Sequence, residues 1–210
     1  MVRTTLIFIF FLMSPVMASS HKIETFSLID RPVVDAAPGD TVVEFFSFYC
    51  HPCYVFSQIY GVDKAIRDIL PPGERMLKYH VGFLGSLGDE LTRAWSVAIV
   101  AGIEEQIEPL LFNAIQKERT LKSAEDIRTV FIKAGMSGEE YDRMLVSQSV
   151  TDMTEKQKHL FKEYGVTGTP SVYINGRYRI ENNAFRGESV EDFRNSYVSA
   201  VRSLLSVKNK

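Results

Sequence analysis

Thr41-Val42-Val43-Glu44-Phe45-Phe46-Ser47-Phe48-Tyr49 runs directly into Cys50-His51-Pro52-Cys53, and this stretch decides the fold. Thr41 to Phe48 is rich in β-branched and aromatic residues and reads as a buried central strand. Cys50 then opens a helix expected to reach about Ile69, halted by Pro71-Pro72-Gly73. An apolar strand that delivers a C-x-x-C pair to a helix start is the layout of a redox centre. Cys50 and Cys53 are the only cysteines in the chain, and two thiols this close can alternate between dithiol and disulfide.

Outward from that stretch, the pattern is an α/β domain interrupted by helices. Lys22 to Ile29 alternates weakly, as an edge strand ending at Arg31-Pro32, and Ala37-Pro38-Gly39-Asp40 is a turn signal. Met76 to Val81 is a second short strand. Glu90 to Ala101, Glu104 to Gln116, Ser123 to Ala134 and Gly138 to Val146 repeat apolar residues at helical spacing. Ser123 caps one of these helices and Gly135 closes it. A further helix is expected over Thr151 to Glu163. Ser171 to Ile180 reads as a hairpin turning at Asn175-Gly176. Glu188 to Val207 is a closing helix with Val190, Phe193, Tyr197, Val201 and Leu204 on one face. Gly82, Gly85 and Gly88 are spaced like phosphate-binding glycines but read as a loop entering the helical block, and Trp95 reads as core.

Met1 to Ala18 has the form of a secretory signal peptide. Arg3 precedes the apolar run Leu6 to Met13, and Val16-Met17-Ala18 supplies small residues for cleavage. The run is too short to span a membrane, which takes about 20 apolar residues. The mature chain is expected to begin near Ser19, outside the cytoplasm, where thiols tend to be oxidised. The net charge of −2 carries no footprint for nucleic acid, and 45% hydrophobic content supports a core without covalent staples.

The site residues have physical readings of their own. At a helix start, unpaired N–H groups and the helix dipole favour a Cys50 thiolate and lower its pKa. Such a thiolate leaves readily, which makes the disulfide an oxidant. Cys53, one turn in, is the shielded resolving thiol. Half a zinc site is the alternative, but the further ligands would be the scattered His21, His80 and His159. A purely structural disulfide would close too short a loop to gain much. His51, if protonated, places positive charge beside the thiolate, or else merely faces solvent. Glu44 interrupts an apolar strand, and a buried carboxylate is costly unless paired or protonated.

Several segments together resemble the DsbA family of exported thiol:disulfide oxidoreductases. They are Glu44 to Cys50, Lys78-Tyr79-His80-Val81, Ala94-Trp95-Ser96-Val97-Ala98, Ser123 to Arg128, Phe131 to Gly135, Gly138 to Asp142, Gly165 to Pro170, and Val172 to Gly176. The resemblance implies a thioredoxin-like fold over 19–82 and 158–210, with an inserted all-helical domain at 83–157. It implies that Pro170 is a cis-proline facing the cysteines, with Gly168 and Thr169 beside it on the substrate side. It places Lys78 near Glu44, as an ion pair or as part of a proton path to Cys53. It further implies that the protein is a monomer which needs no cofactor or metal beyond the Cys50–Cys53 disulfide. That disulfide would pass to reduced, unfolded exported proteins, and a quinone-linked membrane partner of the DsbB type would restore it. Phenylalanines are expected to line a groove near Cys50.

Three departures stand out. Familiar members carry Pro then His where this chain has His51-Pro52, and proline lacks an N–H. Many have valine where Thr169 stands, and Thr169 has a hydroxyl to offer near the sulfurs. Relatives often carry an acid in the redox helix where this chain has Ser57 and Gln58, which predicts a thinner charge network. Pro52 and Thr169 keep a reductase or isomerase open as an alternative, and a non-enzymatic holdase or pilus-assembly factor using the same groove is a second.

Overall fold

The computed structural model describes residues 24–29 and 40–207. The leader at 1–18 and most of the expected turn at 37–40 lie outside them. The sheet has the order β1-β5-β4-β2-β3. Its strands are β1 (Phe26–Leu28), β2 (Asp40–Phe46), β3 (Arg75–His80), β4 (Ser171–Ile174) and β5 (Tyr178–Ile180). Only β2 and β3 pair in parallel; the other neighbours are antiparallel. β2 is central and covered on both faces, which is why it reads as a nearly continuous apolar run; Val42, Phe45 and Phe46 are fully buried.

The hairpin turns where expected. Asn175 (φ 53°) and Gly176 (φ 61°) both take left-handed backbone, and the Arg177 N–H closes the turn on the Ile174 carbonyl at 3.1 Å. The closing helix α8 (Val190–Leu205) buries Tyr197, Val201 and Leu204. Val190, expected on that buried face, is exposed, because it opens the helix and lies outside the apolar cluster against the sheet.

The redox helix differs most from expectation. It is not one helix to Ile69. A first turn, α1 (His51–Tyr54), widens into a π-helical stretch at Val55–Ile59. The chain then breaks at Gly61, with φ 61°, before α2 (Val62–Arg67). Gly61 takes the left-handed conformation at no steric cost, and the break turns α2 back so that Asp63 faces inward and is buried.

Between β3 and β4 lie α3 (Gly88–Ala101), α4 (Glu104–Phe112), α5 (Ala124–Lys133), α6 (Gly138–Leu145) and α7 (Gln148–Glu163), with a π-helical stretch at Asn113–Lys117 after α4. α5 starts with a full capping box between Ser123 and Asp126. The expected boundary between 157 and 158 falls inside α7. Val150 of that helix packs in the core of the helical block, while Leu160 packs with Phe45 and Tyr173 of the sheet. Cys50 and Cys53 belong to the same apolar cluster as Phe46, Phe48, Trp95, Leu111 and Phe131, so the pair sits on the seam between sheet and helical block. No helix among the described residues is long and apolar enough to cross a membrane.

Candidate active site

Cys50 and Cys53 form a disulfide with Cα atoms 5.2 Å apart. Cys50 is the N-cap of α1, and the Cys53 N–H points at its sulfur at 3.2 Å. Pro52 offers no N–H, so the second cysteine supplies this donor itself. The pair is asymmetric: Cys50 keeps 6% of its surface open and Cys53 none. The Thr169–Pro170 peptide is cis, and the Thr169 carbonyl oxygen stands 3.4 Å from the Cys50 sulfur. The contact comes from the Thr169 backbone rather than its hydroxyl. The loop is tied from behind. Ser171 donates to the Gly168 carbonyl at 2.7 Å, Asn182 donates to the Pro170 carbonyl at 2.7 Å, and the Tyr197 hydroxyl donates to Asn182 at 2.9 Å.

The turn between β2 and Cys50 is clamped through Phe48 by two residues that the sequence did not single out for this role. The buried Phe48 N–H donates to Nε2 of His80 at 3.2 Å. Nε2 must then be unprotonated, so Nδ1 donates to the Thr92 hydroxyl 2.9 Å away, and that hydroxyl donates onward to the Gly88 carbonyl at 2.9 Å. Burial pushes His80 down from the ordinary 6.5 to about 3, which keeps the ring neutral. Both ring nitrogens are thus engaged away from the sulfurs. On the other side, Gln116 donates from Nε2 to the Phe48 carbonyl at 2.8 Å. This fixes its amide so that Oε1 faces Nδ1 of the exposed His51, 3.2 Å away. Oε1 only accepts, so Nδ1 of His51 carries a proton.

Beneath the redox helix lies a buried charge cluster. Glu44 and Lys78 stand opposite each other on β2 and β3. Glu44 is fully buried, with its carboxylate 3.3 Å from Lys78 Nζ at ion-pair range but outside hydrogen-bond geometry, and neither of its oxygens has a hydrogen-bond partner. Lys78 instead donates to Asp63 at 2.7 Å and to Glu108 at 2.6 Å. Ser57 Oγ lies 2.7 Å from Glu108 and 3.0 Å from Asp63, with one proton to share between them. The expectation of a thinner network is therefore overturned. Ser57 brings no charge, but Asp63 reaches in from α2 and Glu108 from α4.

Burial pushes Glu44 up from 4.5 to about 7; Lys78 pulls it down, while Asp63 and Glu108 push it further up. Burial also raises Asp63, but Lys78 outweighs burial and holds it below its ordinary value. Burial disfavours the Lys78 ammonium, yet three carboxylates overcome that and hold it firmly charged.

The expected aromatic groove is not built from the nearby phenylalanines, since Phe46, Phe48 and Phe112 are fully buried and pack edge-on or tilted against one another. Phe83 is exposed and pairs with the Phe161 ring at 5.8 Å. Among the described residues, no group of three His, Cys, Asp or Glu side chains is arranged to hold a metal ion.

Residues 41–198 match the DSBA-like thioredoxin domain family. The chain is 43% identical to the thiol:disulfide interchange protein DsbA of Yersinia pestis over 180 residues, 86% of each chain. The DsbA of Dickeya dadantii is 41% identical over 183 residues, 87% of each. Among solved structures, SrgA of Salmonella enterica serovar Typhimurium superposes with a TM-score of 0.83 at 55% identity, covering 86% of this chain and 99% of that one. A Proteus mirabilis DsbA with a non-covalently bound peptide superposes with a TM-score of 0.82 at 38% identity, covering 88% and 97%. With its disulfide at the mouth of α1 and this match along nearly the whole described chain, the protein belongs to the DSBA-like thioredoxin domain family and is a dithiol:disulfide oxidoreductase.

Proposed function

We propose that the protein oxidises cysteine pairs in reduced, unfolded exported chains, acting in the periplasm as a monomer with no cofactor beyond Cys50–Cys53. The observation that carries this is the asymmetry of the disulfide: Cys50 alone is open, and it faces the Thr169–Pro170 loop. A substrate thiolate attacks the Cys50 sulfur, the Cys50–Cys53 bond breaks, and the electron pair leaves on Cys53. A second substrate thiolate attacks the substrate sulfur of the mixed disulfide and expels Cys50. The substrate loses two electrons and two protons, and the enzyme gains them. The leaving Cys53 takes its proton from Glu44. Gly168, Thr169 and Pro170 form the wall along which an extended substrate lies; that this chain binds peptides at all is supported by the Proteus mirabilis relative, which holds a non-covalently bound peptide. His51 stabilises the Cys50 thiolate from the solvent side. A quinone-linked membrane protein of the DsbB type reoxidises the pair. The leader at Met1 to Ala18 supports export.

Purified protein should speed disulfide formation in a reduced model substrate, and Cys50→Ser should reduce the rate to background; a variant that still accelerates the reaction would sink the reading. A second reading, a reductase or isomerase, is favoured by Pro52, which leaves the Cys53 N–H as the donor at the Cys50 sulfur. Equilibration with glutathione separates the two, since a thioredoxin-like potential near −270 mV, about that of thioredoxin itself, would mark a reductant.

A further inference from the structure

Three carboxylates converge on one ammonium in the floor of the site. Lys78 Nζ is 2.6 Å from Glu108, 2.7 Å from Asp63 and 3.3 Å from Glu44. If all four were ionised, the cluster would hold an excess of two negative charges among buried side chains. Arg67 offsets part of this from the rim, 3.7 Å from Asp63. The three acids are not equivalent. Asp63 and Glu108 take the hydrogen bonds of Lys78 and the hydroxyl of Ser57, while Glu44 receives none. The cheapest way to remove a charge is therefore to protonate Glu44. The cluster is also joined to the redox pair. Glu44 lies on the strand that delivers Cys50, and Ser57, in contact with Asp63 and Glu108, follows Cys53 by one helical turn.

We propose that Glu108 of the helical block, together with Asp63, is a positioning residue for proton exchange at Cys53: by engaging Lys78 it keeps Glu44 protonated and ready to donate. This rests on the reading that Glu44 serves Cys53. When a substrate thiolate bonds to the Cys50 sulfur, the Cys50–Cys53 bond breaks and its electron pair stays on Cys53. The Glu44 proton moves to that sulfur and leaves a carboxylate facing Lys78. Reoxidation returns the proton. The charged and titratable groups that face Glu44 are Lys78 from β3, Asp63 and its partner Arg67 from α2, Glu108 from α4 and Tyr197 from α8. Tyr197 is already committed to Asn182.

The test uses the full-length oxidised protein and Glu44→Gln, Glu108→Gln and Asp63→Asn. The infrared band of a protonated carboxyl is titrated between pH 5 and 9, and the rate of mixed-disulfide formation with a reduced peptide is measured over the same range. Glu44→Gln should remove the band. Glu108→Gln should move its midpoint and the inflection in the rate down by about one pH unit, because a like charge is lost and Lys78 is freed for Glu44. Asp63→Asn should shift both in the same direction and serves if Glu108→Gln does not fold. An unmoved midpoint in both variants overturns the inference. If the rate inflection survives Glu44→Gln, the underlying assignment of Glu44 to Cys53 fails instead.

Discussion

The two sulfurs of one disulfide meet unlike surroundings. Cys50 faces a rim made of backbone and one exposed imidazole: the Cys53 N–H, the Thr169 carbonyl and His51 held by Gln116. Cys53 is sealed, and the helix it sits on passes over a floor where Lys78 gathers three carboxylates. The rim suits the arrival and departure of an extended chain. The floor suits the handling of charge among buried side chains. In the proposed function, attack and proton transfer fall on opposite sides of a four-residue motif.

The largest test of this division is Cys53→Ala. Turnover with a reduced substrate should fall to the uncatalysed background, because the Cys50–Cys53 disulfide cannot form; offered a disulfide-bonded peptide instead, the Cys50 thiolate should attack it, expel one peptide thiolate and stay trapped as a mixed disulfide detectable by mass spectrometry. An active Cys53→Ala would mean that the sealed sulfur is not the leaving group.

The next test weighs the floor by pH. A carboxyl held above its unfolded value stabilises the fold below that value and loses the contribution as pH rises through the folded one. For Glu44 the window runs from 4.5 to about 7. At about 1.4 kcal/mol per pH unit the effect amounts to roughly 3 kcal/mol. In urea titrations, the stability of the wild type relative to Glu44→Gln should fall by that amount between pH 4 and pH 8. A constant difference would show that Glu44 does not titrate in this window.

The floor was only half legible in the sequence. Glu44 stands out because a carboxylate in an apolar strand has to be explained, and the family resemblance supplies Lys78 as its neighbour. Asp63 and Glu108 give no such signal. Asp63 reads as one charge within the helix expected from Cys50 to Ile69, and Glu108 as one more on a helix that already carries Glu104 and Glu105. What turns them inward is tertiary: the break at Gly61, and the packing of α4 against α3 and α5 with Glu108 reaching Lys78. The elements themselves were readable because each has a local cause, such as the Asn175-Gly176 turn or the Ser123 cap. The widening at Val55–Ile59 depends on packing and leaves no comparable mark.

The rim offers smaller tests. His80→Phe keeps a flat ring against Phe48 but leaves the Phe48 N–H and Thr92 without their partner, at a cost of about 2 kcal/mol. The wild type should also lose stability as pH falls from 6.5 to about 3, because the unfolded histidine takes up a proton that the buried one refuses. The variant should lack that component of acid lability. Gln116→Ala removes the amide between the Phe48 carbonyl and His51, and should cost about 1 kcal/mol. Faster amide exchange across residues 48–51 would place that loss in the turn, whereas unchanged exchange there would detach Gln116 from the rim.

β3 is the last strand of the sheet on its side, so its outer backbone would otherwise lie open to any extended chain. The helical block closes that flank with side chains: the Trp95 indole takes the Lys78 carbonyl at 2.7 Å, and the Gln157 amide takes the His80 N–H at 2.7 Å. A protein whose proposed work brings it into contact with unfolded polypeptides is thereby guarded against annealing to them edge to edge. The indole and the amide act as stoppers, leaving encounters to the mouth where chemistry can follow.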